Sequence, residues 1–120
     1  MFKEIGVLLR DMRASWHGRA AASLYGEALS AHQSGDLERA ASGYRAAVDL
    51  IRDRLRLYSP DMLGVLVLSV SYLDEVHKRI GRPPPLQDMV HVLRVVDGQD
   101  LSSECCERIE WLRRRVAEST

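Results

Sequence analysis

Apolar residues recur every three or four positions along nearly the whole chain, with polar residues between them. This spacing places the apolar residues on one face of an α-helix, and no sustained period-two alternation typical of a strand interrupts it. Short polar connections separate the helical segments, and short connections favour antiparallel neighbours. We therefore predict an all-α fold of about six antiparallel helices, arranged as helical hairpins or a bundle, in a single domain over residues 1–120.

The first two predicted helices are separated at His17-Gly18, where glycine loosens the helical pattern. The second of them runs from about Arg19 to Ser34. The apolar stripe of the first helix is formed by Phe2, Ile5, Leu8, Leu9, Met12 and Trp16, and that of the second by Leu24, Ala28 and Ala31.

A glycine-aspartate turn connects the second and third predicted helices. Gly35 is expected to end the second helix, because glycine tolerates the positive φ of a helix end, and Asp36 is expected to cap the third. The stripe of the third helix extends for about six turns and comprises Leu37, Ala40, Ala41, Tyr44, Ala47, Val48, Ile51, Leu55 and Tyr58.

The last three helices begin or end at clear local signals. Ser59 is an N-cap before Pro60, and Gly81 closes a fourth helix that is apolar nearly all round and therefore central. Its Val65–Leu68 run is compatible with a buried strand, but its length and its cap favour a helix. The fifth helix covers residues 86–96, and Ser102 or Ser103 caps the sixth.

Composition and charge exclude several classes of function. The 17 basic and 17 acidic side chains cancel, so there is no general field that would attract nucleic acid or anionic lipid. No apolar run approaches the roughly 20 residues of a membrane-spanning helix, and the charged N-terminus does not resemble a secretory signal. Adjacent Cys105 and Cys106 are poorly placed for a shared metal or a disulfide, which indicates a cytoplasmic protein.

Catalytic motifs are missing from the sequence. No phosphate-binding glycine loop appears, and Asp74-Glu75 next to His77 is interpreted as a solvated patch at a helix end. We therefore predict that the protein is not an enzyme and has no catalytic residues, metal site or cofactor. Its histidines lie on four different segments, at His17, His32, His77 and His91.

The stretch "SGDLERAASGYRAAVDL", residues 34–50, combines a tight turn with alternating small and large positions. It resembles the tetratricopeptide repeat, a two-helix unit of about 34 residues, over residues 21–54. Glu27 and Arg52 depart from that pattern, and no second copy is found one period away. Diverged flanking repeats and a single hairpin within another bundle, such as a microtubule-interacting-and-transport domain, both remain open. The positions that match are Leu24, Ala28, Ala31, Gly35, Asp36, Ala40, Tyr44 and Ala47.

The resemblance implies a protein–protein interaction module, a small adaptor or chaperone that binds a peptide or helix of another protein. In that family the first helix of each hairpin lines the ligand face, which here implies Ala22, Tyr25, Leu29, His32 and Gln33. Tyr25, Leu29 and His32 follow the i, i+4, i+7 spacing that a helix groove requires. The alternative is that the N-terminal helix covers this stripe.

A homo-oligomeric structural bundle is the other class of function that the sequence permits, including a homodimer. Trp111 lies on the charged flank of the last predicted helix, about one turn from Glu107 and Arg115, and not on its apolar stripe. An exposed tryptophan commonly marks an interface. Trp111 is therefore a further candidate protein-binding residue.

Overall fold

A computed structural model describes the backbone of residues 5–54 and 59–119 and the side chains of residues 16–53 and 59–119. These residues form five helices and no strand, which confirms the all-α prediction. The predicted apolar positions Phe2 to Met12, Leu55 and Tyr58 lie outside the described side chains. The helices are α1 (Ile5–Gln33), α2 (Leu37–Arg54), α3 (Pro60–Ile80), α4 (Leu86–Val95) and α5 (Ser103–Glu118).

The predicted break at His17-Gly18 is wrong, so the described residues contain five helices where the sequence indicated about six. α1 continues through Gly18 as one helix of 29 residues, about 43 Å long. A glycine inside a helix costs only about 1 kcal/mol relative to alanine. The absence of a side chain at Gly18 leaves room for Met62 of α3, because a Cβ atom at position 18 would lie 3.1 Å from the Met62 sulfur atom.

The predicted helix ends are found where local chemistry placed them. Gly35 has φ of 85°, Gly81 has φ of 75°, and the Asp36 carboxylate accepts the Arg39 N–H at 3.3 Å. Ser59 caps α3 by accepting the Met62 N–H, and Ser102 caps α5 by accepting the Cys105 N–H. These caps satisfy backbone groups that the helix itself leaves unpaired, which fixes the connections between helices.

The centre of the fold is α3, as its all-round apolar character predicted. It packs against each of the other four helices. One buried cluster joins it to α4, α5 and parts of α1 and α2, through residues such as Leu66, Met89 and Leu112. A second cluster joins the far end of α3 to the α1–α2 hairpin, around Tyr44 and Leu73.

The α1–α2 hairpin is held together by small residues. Ala28, Ala40 and Ala47 are buried, in agreement with the prediction, and Tyr44 is completely buried beside them. The two helices approach each other closely at Gly43, where a Cβ atom would be 2.7 Å from the Ala28 Cβ. Gly43 was not among the predicted small contact positions, although it continues the stripe of Ala40 and Ala47.

Two buried carboxylates connect helices that are far apart in sequence. Asp74 of α3 is fully buried and accepts bonds from Arg115 Nε at 2.8 Å and Trp111 Nε1 at 3.1 Å. The interpretation of Asp74 as part of a solvated patch is therefore wrong, because α5 covers it. Asp88 of α4 is also buried and pairs with Arg45 and Arg52 of α2.

No helix among the described residues is long and apolar enough to cross a lipid bilayer.

Candidate functional site

The middle of the central helix is covered by its neighbours except along one stripe. From Leu66 to Val76, only Leu68, Tyr72 and Glu75 have accessible surface, and every other residue of that stretch is buried. The three are spaced by four and three residues and so lie on one side of α3. Partly exposed Val65 extends the stripe by one further turn.

α1 and α5 stand on either side of this stripe. Both helices pack on α3, but within the described residues no Cα atom of α1 comes within 8 Å of one in α5. Side chains from both sides reach the same floor residue: the His32 ring centroid is 5.8 Å from that of Tyr72, and the Arg108 guanidinium carbon is 4.4 Å from the Tyr72 ring centroid. We call this feature the α3 groove, with floor residues Leu68, Tyr72 and Glu75 and wall residues Tyr25, Leu29, His32 and Arg108.

The α1 wall is anchored by aromatic contacts. The Tyr25 ring lies 6.0 Å from the buried Tyr44 ring, and Tyr44 stacks at 6.0 Å on Tyr72. Burial is the main cause that raises the pKa of Tyr25 to about 12, and the charge of Glu104 in α5 acts in the same direction. Tyr25 therefore stays neutral near pH 7 and offers a protonated hydroxyl at the wall.

His32 occupies the end of the α1 wall, where it contacts two other helices. Its Nδ1 atom is 3.0 Å from the Tyr44 hydroxyl oxygen, and its Nε2 atom is 3.7 Å from a Glu75 carboxylate oxygen. Burial lowers the pKa of His32 below its usual value, while the Glu75 charge opposes that shift. The ring is therefore mostly neutral at pH 7 and links α1, α2 and α3.

Arg108 forms the opposite wall and is held by a mixed set of contacts. Its Nε atom donates to the Ser71 hydroxyl at 2.9 Å, and its Nη1 atom is 3.6 Å from the second Glu75 oxygen. Its guanidinium also lies 5.1 Å from the Trp111 ring centroid. The Nη2 atom is buried and donates no hydrogen bond to any described atom. Arg108 therefore keeps unused hydrogen-bonding capacity beside the groove.

Of the predicted binding residues of α1, Tyr25 and His32 contact residues at the groove, through Tyr44, Tyr72 and Glu75. Ala22 and Gln33 are exposed, and Tyr25, Leu29 and His32 are partly buried. The alternative that a separate N-terminal helix covers the stripe is not compatible with the fold. The segment from Ile5 to Gln33 is a single helix, so its N-terminal part continues the axis of the stripe and does not fold over it.

Trp111 is placed differently from the prediction. It is partly buried, since its ring N–H donates to the buried Asp74 carboxylate and Lys78 lies 5.8 Å from its ring centroid. Its contacts with Arg108 bring it next to the groove, so the two predicted surfaces are neighbours. The exposed tryptophan of the described residues is Trp16, with 62% of its surface accessible.

The sequence did not single out Tyr72, Glu75 and Arg108 as site residues. Tyr72 and Glu75 belong to a helix that reads as apolar all round, and Leu68 and Tyr72 do not differ in hydropathy from their buried neighbours, so the sequence carries no clear signal of the accessible stripe. Arg108 is one of four arginines between residues 108 and 115, and only the fold distinguishes it from the exposed Arg113 and Arg114.

Features of other site classes are small or lacking. A surface recess of about 180 Å³ lies at the α1–α2 turn, lined by residues such as Glu27, Ser34 and Arg39. Pockets for small ligands usually measure about 300–1,000 Å³. The described part of the chain contains no cluster of three histidine, cysteine or acidic side chains that could hold a metal ion. Cys105 is buried and Cys106 is exposed, and neither forms a disulfide.

No protein-family model matches the chain, and comparisons with curated proteins and with solved structures give no match. The groove and its contacts are therefore the basis for the functional argument.

Proposed function

We propose that the protein is a protein–protein interaction module that binds a helix or peptide segment of another protein in the α3 groove. The observation that carries the proposal is the accessible stripe of Leu68, Tyr72 and Glu75 on a helix that is otherwise buried. α1 and α5 flank that stripe, and within the described residues no Cα atom of one helix comes within 8 Å of the other, so the stripe lies between two helical walls.

The chemistry of the groove favours a protein ligand over a small molecule. Partly exposed Leu29 of α1 and Leu68 and Tyr72 of α3 offer apolar surface on neighbouring helices, as an amphipathic helix requires. Partly buried aromatic and arginine side chains are the residue types that contribute most to protein–protein affinity. Tyr25, Tyr72 and Arg108 supply both types within one site.

The α1–α2 hairpin is, in this proposal, a tetratricopeptide-repeat-like unit within a small cytoplasmic adaptor or chaperone. Its support is the turn at Gly35-Asp36 and the close packing of Ala28 on Gly43 beside the buried Tyr44. In such a unit the first helix lines the ligand face, and α1 forms a wall of the groove.

The proposal is tested by blocking the groove without disturbing the core. Ala22 and Ser23 are adjacent and exposed on α1, but Ala22 lies on the side of Tyr25 while Ser23 lies nearly opposite to it. Arginine has a helix propensity close to that of alanine and slightly better than that of serine. Each of Ala22→Arg and Ser23→Arg should therefore change the free energy of unfolding by less than about 0.5 kcal/mol.

The binding measurement compares the two variants with the parent chain. Proteins captured by the immobilised parent chain are identified by mass spectrometry, and the affinity of each purified partner is then measured by calorimetry. We expect Ala22→Arg to weaken binding about 10-fold or more, which corresponds to about 1.4 kcal/mol, and Ser23→Arg to leave it within about twofold. Equal binding by both variants would place the interaction elsewhere and reject the groove.

Self-association is the second candidate function, and the exposure of Trp16 favours it. A tryptophan with 62% of its surface accessible is costly to leave in water and is enriched in interfaces. If copies of the chain associate through it, sedimentation at two concentrations will show a concentration-dependent mass, and Trp16→Ser will remove that dependence. A monomer at both concentrations rejects this candidate.

A further inference from the structure

One carboxylate is shared by two cationic or potentially cationic groups at the end of the groove. Glu75 Oε2 is 3.7 Å from His32 Nε2, and Glu75 Oε1 is 3.6 Å from Arg108 Nη1. Both distances exceed that of a hydrogen bond, so each pairing is mainly Coulombic. A small rotation of the Glu75 side chain can therefore shorten one contact and lengthen the other.

We propose that His32 and Arg108 compete for Glu75. When His32 takes up a proton, the Glu75 carboxylate moves away from Arg108 and towards the imidazole. In the imidazolium both ring nitrogens carry a proton, and Nε2–H then faces Glu75 as a charged donor. Arg108 keeps its Ser71 and Tyr72 contacts but loses its counter-charge. This regulation builds on the proposed function in one respect only, that Arg108 is a wall of the binding groove.

The groups that face His32 come from three helices. Tyr44 of α2 contacts Nδ1, Tyr72 and Glu75 of α3 lie against the ring and Nε2, and Arg108 of α5 stands beyond Glu75. The charge of Arg79 in α3 also acts on the imidazole, in the same direction as that of Arg108. Glu75 is thus the acidic group whose position decides how strongly the ring holds a proton.

The test measures the pKa of His32 by following its ring carbon-bound proton in NMR spectra of the full chain. We expect Glu75→Gln to lower that pKa by several tenths of a pH unit, because the attracting charge is lost. Arg108→Gln should raise it, partly because a repelling cation is removed and partly because Glu75 is freed. Glutamine at 108 keeps a donor for Ser71.

Competition is separated from simple repulsion by a double-variant cycle. In the Glu75→Gln background only direct repulsion by Arg108 remains. The rise in the pKa of His32 caused by Arg108→Gln should therefore be smaller there than in the parent chain, by at least about 0.3 pH unit. Equal shifts in both backgrounds would overturn the proposal. Lys78→Gln is the matched control, since Lys78 is an exposed cation of α3 that lies over Trp111, and its effect should be the same in both backgrounds.

A second measurement avoids any change at Arg108. In the parent chain the Arg108 Nε–H resonance should shift with the same midpoint as the His32 ring, and His32→Gln should remove that transition. An Arg108 Nε–H resonance whose position does not change as His32 titrates would also overturn the proposal. Neither measurement needs a partner, so partner binding can fail while the competition is found, and the competition can fail while partner binding is found.

Discussion

Gly43 of α2 lies against Ala28 of α1 so closely that a Cβ atom at position 43 would sit 2.7 Å from the Ala28 Cβ. Real Cβ atoms do not approach one another to that distance, and the atom in the way is attached directly to the α1 backbone. The two hairpin helices can therefore lie this close at position 43 only because glycine has no side chain there.

Gly43→Ala should destabilise the protein even though alanine is the better helix former. Overpacking costs about 1–3 kcal/mol, which should exceed the gain of up to about 1 kcal/mol from replacing a helical glycine. Chemical denaturation gives the free energy of unfolding. Gly26→Ala in α1 is the control, because no atom lies within 4 Å of its added Cβ, and it should be stabilising. A Gly43 variant as stable as the Gly26 variant would show that the crossing is looser than described.

The stability of the folded protein should depend strongly on the pairing of buried Asp74 with Arg115. Removal of one partner from a buried ion pair costs about 3–5 kcal/mol, because the remaining charge stays in the interior without compensation. Arg115→Met keeps most of the side-chain volume but leaves Asp74 with the Trp111 N–H alone. Urea unfolding should therefore show a large loss of stability.

The control for this pair is Arg113→Met, two residues away on the same helix. Arg113 pairs with Glu110 on the surface, where such pairs contribute about 0–1 kcal/mol. Similar losses in the two variants would mean that Asp74 does not need its guanidinium partner.

Asp88 should tolerate the loss of one arginine but not of both. Arg45 and Arg52 each pair with it, and each is partly exposed. We expect Arg45→Met or Arg52→Met alone to cost about 1 kcal/mol or less, since the other cation remains, and the double variant to cost more than the sum. Simple additivity in thermal unfolding would show that the two pairings are independent.

Stability should fall on mild acidification. Burial lowers the pKa values of His32 and His91 in the folded protein below their ordinary value of about 6.5. Near and below pH 6.5 the unfolded chain then binds more protons than the folded protein. The contribution of the two neutral histidines to the free energy of unfolding is therefore fully present above about pH 6.5 and is lost as the pH falls below it. The melting temperature should therefore decrease from pH 7 to pH 5.

His32→Gln tests the assignment of this pH dependence. Glutamine can hydrogen-bond with Tyr44 and does not titrate, so the variant should show a flatter curve between pH 7 and pH 5. His91→Gln should remove a separate part of the decrease in melting temperature between pH 7 and pH 5. A melting temperature that rises on acidification in the parent chain would contradict the lowered pKa of both rings.

The sequence predicted those parts of the fold that depend on near neighbours. The caps at Ser59 and Ser102 and the turn at Gly35 each act within a few residues, so their signals are complete in the local sequence. The small contact positions Ala40 and Ala47 were found in the same way, from helical spacing alone.

The errors have non-local causes. The break at Gly18 was predicted from a local cost of about 1 kcal/mol, while the contact with Met62 depends on a residue 44 positions away. Asp74 was interpreted as solvated because its partner Arg115 lies 41 residues further on, in another helix. The Glu75 end of the groove was missed for the same reason, since Arg108 reaches it from α5.

The continuity of α1 also fixes an angle between two surfaces. Trp16 and Tyr25 are nine residues apart, and at about 100° per residue they project from opposite sides of the helix, with about 13 Å between them along its axis. A protein that grips Trp16 therefore leaves the groove open. Insertion of two residues between His17 and Gly18 would rotate Trp16 by about 200° about the helix axis and bring it to the groove side. The number of residues between Trp16 and Tyr25 therefore determines the angle between the two surfaces.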